Sequence, residues 1–214
     1  MKAYFLATAI CLTPGIASAI CPVRSDIQTG IIVTYDDDLF DGVFTLNAVG
    51  AIEELSPNFD MDGEKYGFVL TGGVFETESY IVTKRARSID FLTAYEEDIR
   101  AILPLQPQST WTMNVNYIYP DEDGYKQKGY KYSATEFGTI ENMTLMTGAL
   151  TTTTIGDCTY DSFSLLFEYI DQAGAERNLR QTYLSDLGIA IYLGYADSDG
   201  TTEITQAQTI SVNQ

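Results

Sequence analysis

Apolar and polar residues alternate over much of the chain, and this alternation predicts β-strands joined by hairpins. The clearest case is a run from Phe163 to Ile170, a turn over Asp171–Gly174 and a returning run from Asn178 to Leu184. A period of two gives each strand one buried face and one solvated face. A further strand over Ile189–Tyr195 follows a turn at Ser185–Gly188. We expect these three strands to form the centre of a sheet.

Comparable runs extend the prediction along the chain. An alternating run that starts at Thr29 meets Asp41-Gly42, a strong hairpin signal, and a strand returns from Val43. Glu53–Asn58 is predicted to be a loop. Further strands are predicted over Tyr66–Leu70, Glu76–Lys84, Trp111–Tyr119, Lys126–Phe137 and Thr201–Val212, with two short strands in Thr139–Thr154.

Four of the connecting turns share the form Asp-x-x-Gly, and they begin at Asp60, Asp121, Asp171 and Asp197. An aspartate at the first position can accept a hydrogen bond from the backbone two residues on. A glycine at the fourth position tolerates the positive φ of a hairpin loop. The repeated turn therefore favours an antiparallel arrangement.

Residues 88–103 show a different period. Their apolar side chains fall on one helical face, with Ser88 or Asp90 able to cap the start and Pro104 ending the segment. The fold class we predict is mainly β, a curved antiparallel sheet or open barrel of about ten strands with one packed α-helix (residues 88–103). A two-sheet sandwich with the helix covering an edge is the alternative.

The first 19 residues have the form of a signal peptide. Lys2 supplies a positive charge, Ala3–Leu12 is apolar, and Ala17-Ser18-Ala19 matches a cleavage site. We expect cleavage near Ala19, a periplasmic or secreted location, and one β-rich domain over residues 20–214. The apolar run is too short to span a bilayer, so no membrane insertion is expected.

Charge and cysteine content narrow the function. With 30 acidic and 12 basic residues, the formal net charge is −18, which disfavours binding to nucleic acid or to anionic lipid surfaces. The acidity serves either solubility or the attraction of cations and basic partners. Beyond the leader only Cys21 and Cys158 remain, and in an oxidising compartment they predict one disulfide. A metal site is the weaker alternative, because two thiols without histidine make a poor ligand set.

The absence of histidine excludes Ser-His-Asp and Cys-His catalysis and histidine zinc sites. Paired carboxylates could still hydrolyse glycosides, although we interpret Glu53-Glu54 and Glu96-Glu97 as parts of solvated faces. Acidic turns at Asp36–Asp38, Asp60–Gly63, Asp121–Gly124 and Asp197–Gly200 could hold calcium weakly. None has the spacing of an EF-hand loop, so no cofactor is predicted.

Aromatic residues line one face of two predicted strands, and they form a candidate ligand groove: Trp111, Tyr117, Tyr119, Tyr130 and Tyr132. The same side chains suit core packing against the helix, or an open apolar groove between sheet and helix. Both uses remain open at this point.

Two segments carry a resemblance to a known group. The predicted helix running into Leu103-Pro104-Leu105, with Thr110-Trp111-Thr112 opening a strand, resembles an arrangement in uncharacterised bacterial periplasmic β-rich proteins. Residues Tyr183–Ile189 resemble a hairpin of the same proteins, with Ser185 where proline is usual. That group is distantly similar to the Lol-type lipoprotein carriers, whose curved antiparallel sheet wraps a helix and holds acyl chains. The resemblance implies an apolar ligand and transfers no catalytic residues.

From these features we expect a non-catalytic exported binding module that uses the aromatic groove for a hydrophobic ligand or an envelope partner. A structural or envelope-interaction protein without a small ligand is the first alternative. A carboxylate-based glycoside hydrolase is the second.

Overall fold

The computed structural model describes residues 21–56, 64–84, 86–119, 137–197, 199 and 202–213. The predicted leader lies outside these residues, as does nearly all of the strand predicted over Lys126–Phe137. The described residues form fourteen strands: β1 (Ile31–Tyr35), β2 (Gly42–Leu46), β3 (Ile52–Ser56), β4 (Lys65–Thr71), β5 (Phe75–Val82), β6 (Arg87–Tyr95), β7 (Thr110–Ile118), β8 (Phe137–Thr147), β9 (Thr151–Ile155), β10 (Cys158–Asp171), β11 (Glu176–Leu184), β12 (Ile189–Asp197), β13 (Thr202–Ile204) and β14 (Ala207–Val212).

All fourteen strands belong to one antiparallel sheet that is not closed. Its order is β13-β12-β11-β10-β8-β7-β6-β5-β4-β3-β2-β1-β14, and β9 pairs with β10 off this path. The two edge strands, β13 and β14, are neighbours in the sequence. The linker between them is bonded on both sides: Thr205 N–H donates to the Leu193 carbonyl at 3.0 Å, and Asp36 N–H donates to the Gln206 carbonyl at 3.0 Å. The sheet therefore curves until its edges approach each other.

The predicted central hairpin is confirmed. Strands β10 and β11 pair from Ser162 opposite Leu184 to Ile170 opposite Glu176, and β11 pairs in turn with β12. The carboxylate of Asp171 accepts hydrogen bonds at 2.8 Å from the backbone N–H groups of Ala173 and Ala175. Gly174 takes a φ of 84°. The turn chemistry read from the sequence accounts for this connection.

The predicted α-helix over residues 88–103 is wrong. Residues 87–95 form β6, which pairs with β5 on one side and β7 on the other. The helical part is a single 3-10 turn at Ile99–Ile102, capped by the Asp98 carboxylate, which accepts from the Arg100 N–H at 3.0 Å. Phe91 and Tyr95 are four residues apart, a spacing that satisfies both the helical and the strand period. Because β6 pairs with a strand on each side, this segment is a strand and not a helix.

The other helical segments of the described residues are 3-10 turns at Arg24–Gln28 and Asp38–Phe40. No helix in this part of the chain is long and apolar enough to cross a membrane.

Two further predictions need correction. The loop predicted over Glu53–Asn58 is mostly strand β3, and the last predicted strand divides into β13 and β14 at opposite edges. The described part of the chain therefore forms fourteen strands where about ten were expected.

Buried side chains from distant strands meet in one interior. One cluster packs Ile31, Val33 and Phe44 of β1 and β2 against residues of β11 and β12, including Leu184 and Ile189. These strands are far apart in the sheet order, so the sheet must fold over to bring them together. The predicted disulfide between Cys21 and Cys158 is confirmed, with a Cα–Cα distance of 5.4 Å, and it lies beside this cluster.

A close backbone contact holds the turn between β4 and β5 against β12. The carbonyl of Gly73 accepts a hydrogen bond from the Ala190 N–H at 2.8 Å. Gly73 has a φ of +71°, and a Cβ atom there would lie 2.0 Å from the Gly188 carbonyl oxygen. Glycine is therefore required at this contact.

Candidate functional site

The folded-over sheet encloses a cavity of about 340 Å³. One wall comes from β3 to β6 and the other from β10 to β12, which are separated in the sheet order. The apolar and aromatic part of the lining includes Leu70, Val74, Tyr95, Phe167, Tyr169 and Leu179. A concave, largely apolar space of this size with a few polar groups is typical of small-molecule sites.

One end of the cavity reaches the molecular surface at the 3-10 turn Asp38–Phe40. Leu39 and Phe40 both line the cavity, and Leu39 is 46% exposed. The Asp37 carboxylate caps the turn by accepting from the Leu39 N–H at 3.1 Å. The Phe40 ring stacks on Tyr192 with centroids 4.9 Å apart. The turn thus places two apolar side chains at an entrance.

A charged cluster backs the wall formed by β10 and β11. The guanidinium of Arg177 lies over the ring of Tyr169 at 3.9 Å and donates to the Tyr117 hydroxyl at 2.6 Å. Its Nε donates to Glu141 Oε1 at 3.1 Å, and its Nη2 donates to Glu141 Oε2. The charge of Arg177 is therefore compensated by Glu141, while Tyr169 turns toward the cavity that it lines.

Two carboxyl groups, Glu54 of β3 and Glu76 of β5, also line the cavity. Judged by their solvent-exposed area, both side chains are half-buried. Protein surrounds each of them except on the side that faces the cavity. Burial, with a smaller contribution from the negative charge of Glu76, raises the pKa of Glu54 to about 8. Burial likewise raises the pKa of Glu76 to about 7, with Arg177 opposing the shift and Asp90 adding to it. Each carboxyl therefore titrates near neutral pH, far above the ordinary range for glutamate.

The hydrogen-bond inventory of Glu76 is incomplete. Its backbone carbonyl accepts from the Tyr95 hydroxyl at 2.9 Å. Its side-chain Oε1 atom is buried and accepts no hydrogen bond from any described residue, and the same holds for Oε1 of Gln181 on the opposite wall. Buried acceptors of this kind are rare in folded proteins and call for an explanation.

Three of the five aromatic residues proposed from the sequence are described, and they lie away from the cavity. Trp111 and Tyr117 are half-buried against the core cluster of β7, β8 and β10, and Tyr119 is 47% exposed. These three do not line the cavity. Tyr130 and Tyr132 fall outside the described residues, so the aromatic groove remains a prediction.

The carboxyls of the cavity were missed by sequence reasoning. Glu53 does lie on an outer face, where it pairs with Arg87 at 3.1 Å, but Glu54 turns inward, so its interpretation as solvated is wrong. The available signal was the period of two from Ile52, which is buried and places Glu54 on the same face. Nothing comparable marked Glu76.

The acidic turn at Asp36–Asp38 forms hydrogen bonds within the fold. Asp36 accepts from the Thr205 hydroxyl at 2.5 Å and the Gln206 N–H at 2.8 Å, and these bonds lower its pKa. Among the residues that the structure describes, no three acidic, cysteine or histidine side chains come together as a metal site. Asp60–Gly63 and Asp121–Gly124 lie outside those residues.

Comparison with known proteins adds nothing to this geometry. No protein-family model, no curated protein sequence and no solved structure matches the chain. Function has to be inferred from the cavity and the side chains that form it.

Proposed function

We propose that this protein is an exported, non-catalytic binding module that holds a small, largely apolar ligand in its interior cavity. The cavity itself carries the proposal: about 340 Å³, walled by apolar and aromatic side chains from both halves of the sheet, and open at Leu39. Transfer of apolar ligand surface from water into such a space is favourable by about 25 cal/mol per Å². A packed core without a ligand would gain by filling this volume with its own side chains.

An exported location agrees with the covalent structure. The Cys21–Cys158 disulfide is compatible with an oxidising compartment, where such bonds persist. Residues 1–19 have the pattern of a leader that directs export. The resemblance to periplasmic β-rich proteins, and through them to Lol-type carriers, implies the same combination of location and apolar ligand.

The carboxyl pair favours binding over glycoside hydrolysis. A hydrolase needs one carboxylic acid that stays protonated and a second carboxylate that stays ionised, so the environments must push their pKa values apart. Here burial raises the pKa of both, Glu54 to about 8 and Glu76 to about 7. Both shifts have the same direction and the same main cause, so the pair lacks the opposed environments of a hydrolase acid and its ionised partner, and this favours binding.

A neutral fluorescent probe tests the proposal. N-phenyl-1-naphthylamine brightens when it leaves water, and we expect saturable binding to the folded protein. Leu179→Trp places an indole in the cavity and should abolish binding. Leu150→Trp makes the same exchange at a side chain that is 59% exposed and should leave binding intact. Failure of the wild-type protein to bind the probe, or equal binding by both variants, would contradict the proposal.

A further inference from the structure

The carboxyl groups of Glu54 and Glu76 line the cavity on strands β3 and β5. Oε1 of Glu76 is buried and accepts no bond from a described residue. An ionised carboxylate is an acceptor only, so the pair offers acceptors to a ligand in the cavity. A ligand that satisfies them must bring donors.

The positive charge that acts on Glu76 is already engaged. Arg177 influences Glu76 electrostatically, but its guanidinium is bonded to Glu141 and to Tyr117. In the described part of the chain neither Glu54 nor Glu76 forms an ion pair. The cavity therefore holds two acid groups that have no bonded cation among the described residues.

We propose that the ligand of this cavity carries a cationic nitrogen, such as a primary ammonium, on an apolar body, and that Glu54 and Glu76 bind that nitrogen. This inference rests on the proposed function and specifies its ligand class. An ammonium group brings three N–H donors and a positive charge, which suit the two carboxylates that line the cavity. Hydrogen bonds between ionised partners are the strongest available, and a low local dielectric strengthens them further.

Ligands with other head groups fit this set of atoms less well. A carboxylate head would place a third negative charge beside the pair and would supply no donor. An alcohol supplies one donor and no charge, so it satisfies one acceptor at most. The apolar lining accepts the same alkyl chain in each case, and the head group alone should therefore determine the order of affinities.

The protonation state of Glu54 and Glu76 determines the pH at which binding should be measured. The titratable and charged groups around the two carboxyls are Tyr35, Tyr66, Tyr80, Tyr95, Tyr169, Tyr192, Asp90 and Arg177. Burial raises the pKa of Tyr35 and Tyr95 well above the ordinary tyrosine value, so these hydroxyls stay neutral where the carboxyls titrate. An arriving ammonium favours the ionised carboxylates and displaces their protons. Binding of an alkylammonium should therefore strengthen from about pH 6 to about pH 8.

The experiment compares decylamine, decanol and decanoate by isothermal titration calorimetry at about pH 8. On wild-type protein we expect decylamine to bind at least about tenfold more tightly than decanol, and decanoate to bind most weakly. Glu76→Gln and Glu54→Gln should each lower the affinity for decylamine by about tenfold or more, with little change for decanol. Glu176→Gln is the matched control, because it removes one negative charge from an exposed position on β11.

Each outcome separates this inference from the proposed function. Decanol or decanoate binding as tightly as decylamine would overturn the cationic ligand and leave the apolar binding site standing. Equal losses in Glu176→Gln and Glu76→Gln would trace the preference to the overall acidity of the protein and would also overturn it. Binding of none of the three compounds would reject the binding site itself. The comparison on wild-type protein needs no variant to fold.

Discussion

The burial of Glu54 predicts that the free energy of unfolding falls as the pH rises. Its pKa is about 8 in the folded protein, against an ordinary value of 4.5. Between these two values the folded state keeps a proton that the unfolded state has released, so higher pH favours unfolding. The stability contributed by the protonated group is complete below pH 4.5 and is lost as the pH rises through about 8.

The size of the effect follows from the shift. One pKa unit corresponds to about 1.4 kcal/mol, so Glu54 alone should lower the free energy of unfolding by on the order of 4 kcal/mol between pH 5 and pH 9. Glutamine keeps the shape of the side chain and has no charge to desolvate. We therefore expect Glu54→Gln to match the wild-type protein within about 1 kcal/mol at pH 5. At pH 9 the variant should be more stable by about 3–4 kcal/mol.

Urea unfolding at the two pH values and one ionic strength measures this difference. Wild-type protein, Glu54→Gln and the exposed control Glu176→Gln are compared, since both variants remove one negative charge. With a denaturant slope of about 2 kcal/mol per molar, the midpoint of Glu54→Gln at pH 9 should lie about 1–2 M above that of the wild type. If Glu54→Gln follows Glu176→Gln at both pH values, Glu54 is solvated in the folded protein and the reasoning fails.

Three further predictions concern stability. Cys158→Ser opens a loop of 137 residues and should lower the free energy of unfolding by about 2–5 kcal/mol, and thiol titration of denatured, unreduced protein should find no free thiol at Cys21 or Cys158. Gly73→Ala places a Cβ against the Gly188 carbonyl and should lower the free energy of unfolding by several kcal/mol. Gly50→Ala, also at positive φ but in open space, should lower it by only about 1–2 kcal/mol, as measured by thermal or urea unfolding. Arg177→Met leaves the Glu141 carboxylate without its partner and should lower the free energy of unfolding by about 3–5 kcal/mol. Arg180→Met, at an exposed position of the same strand, should lower it by under about 1 kcal/mol, and equal losses would contradict the pairing.

Local chemistry made the hairpins predictable from the sequence. Asp171 and Gly174 specify their turn through bonds and a φ value that involve only neighbouring residues. Once that turn is set, the alternation in β10 and β11 fixes which side chains face the core. The disulfide was predictable for a different reason, because two cysteines beyond the predicted leader allow a single pairing.

The segment at residues 88–103 shows where local information was insufficient. Phe91, Tyr95 and Ile99 follow each other at steps of four, which a helix and a strand accommodate equally well. The hydrogen bonds of β6 go to β5 and β7, with Glu78 and Tyr117 among the paired residues. These partners are separated from β6 in the sequence by a turn or a longer segment. Sheet pairing, which no local pattern encodes, determined the outcome.

The sequence by itself determined that the protein is a β-rich antiparallel sheet with one disulfide and no histidine chemistry. Only the tertiary structure decided where the cavity lies and which side chains line it. Glu54, Glu76 and Gln181 lie on three strands that are not neighbours in the sheet order, and they share a cavity because the sheet folds over on itself. That curvature arises from the sum of many strand twists and core contacts rather than from any one segment. The pKa values of the two carboxyls depend on it, because desolvation is a property of the enclosed space.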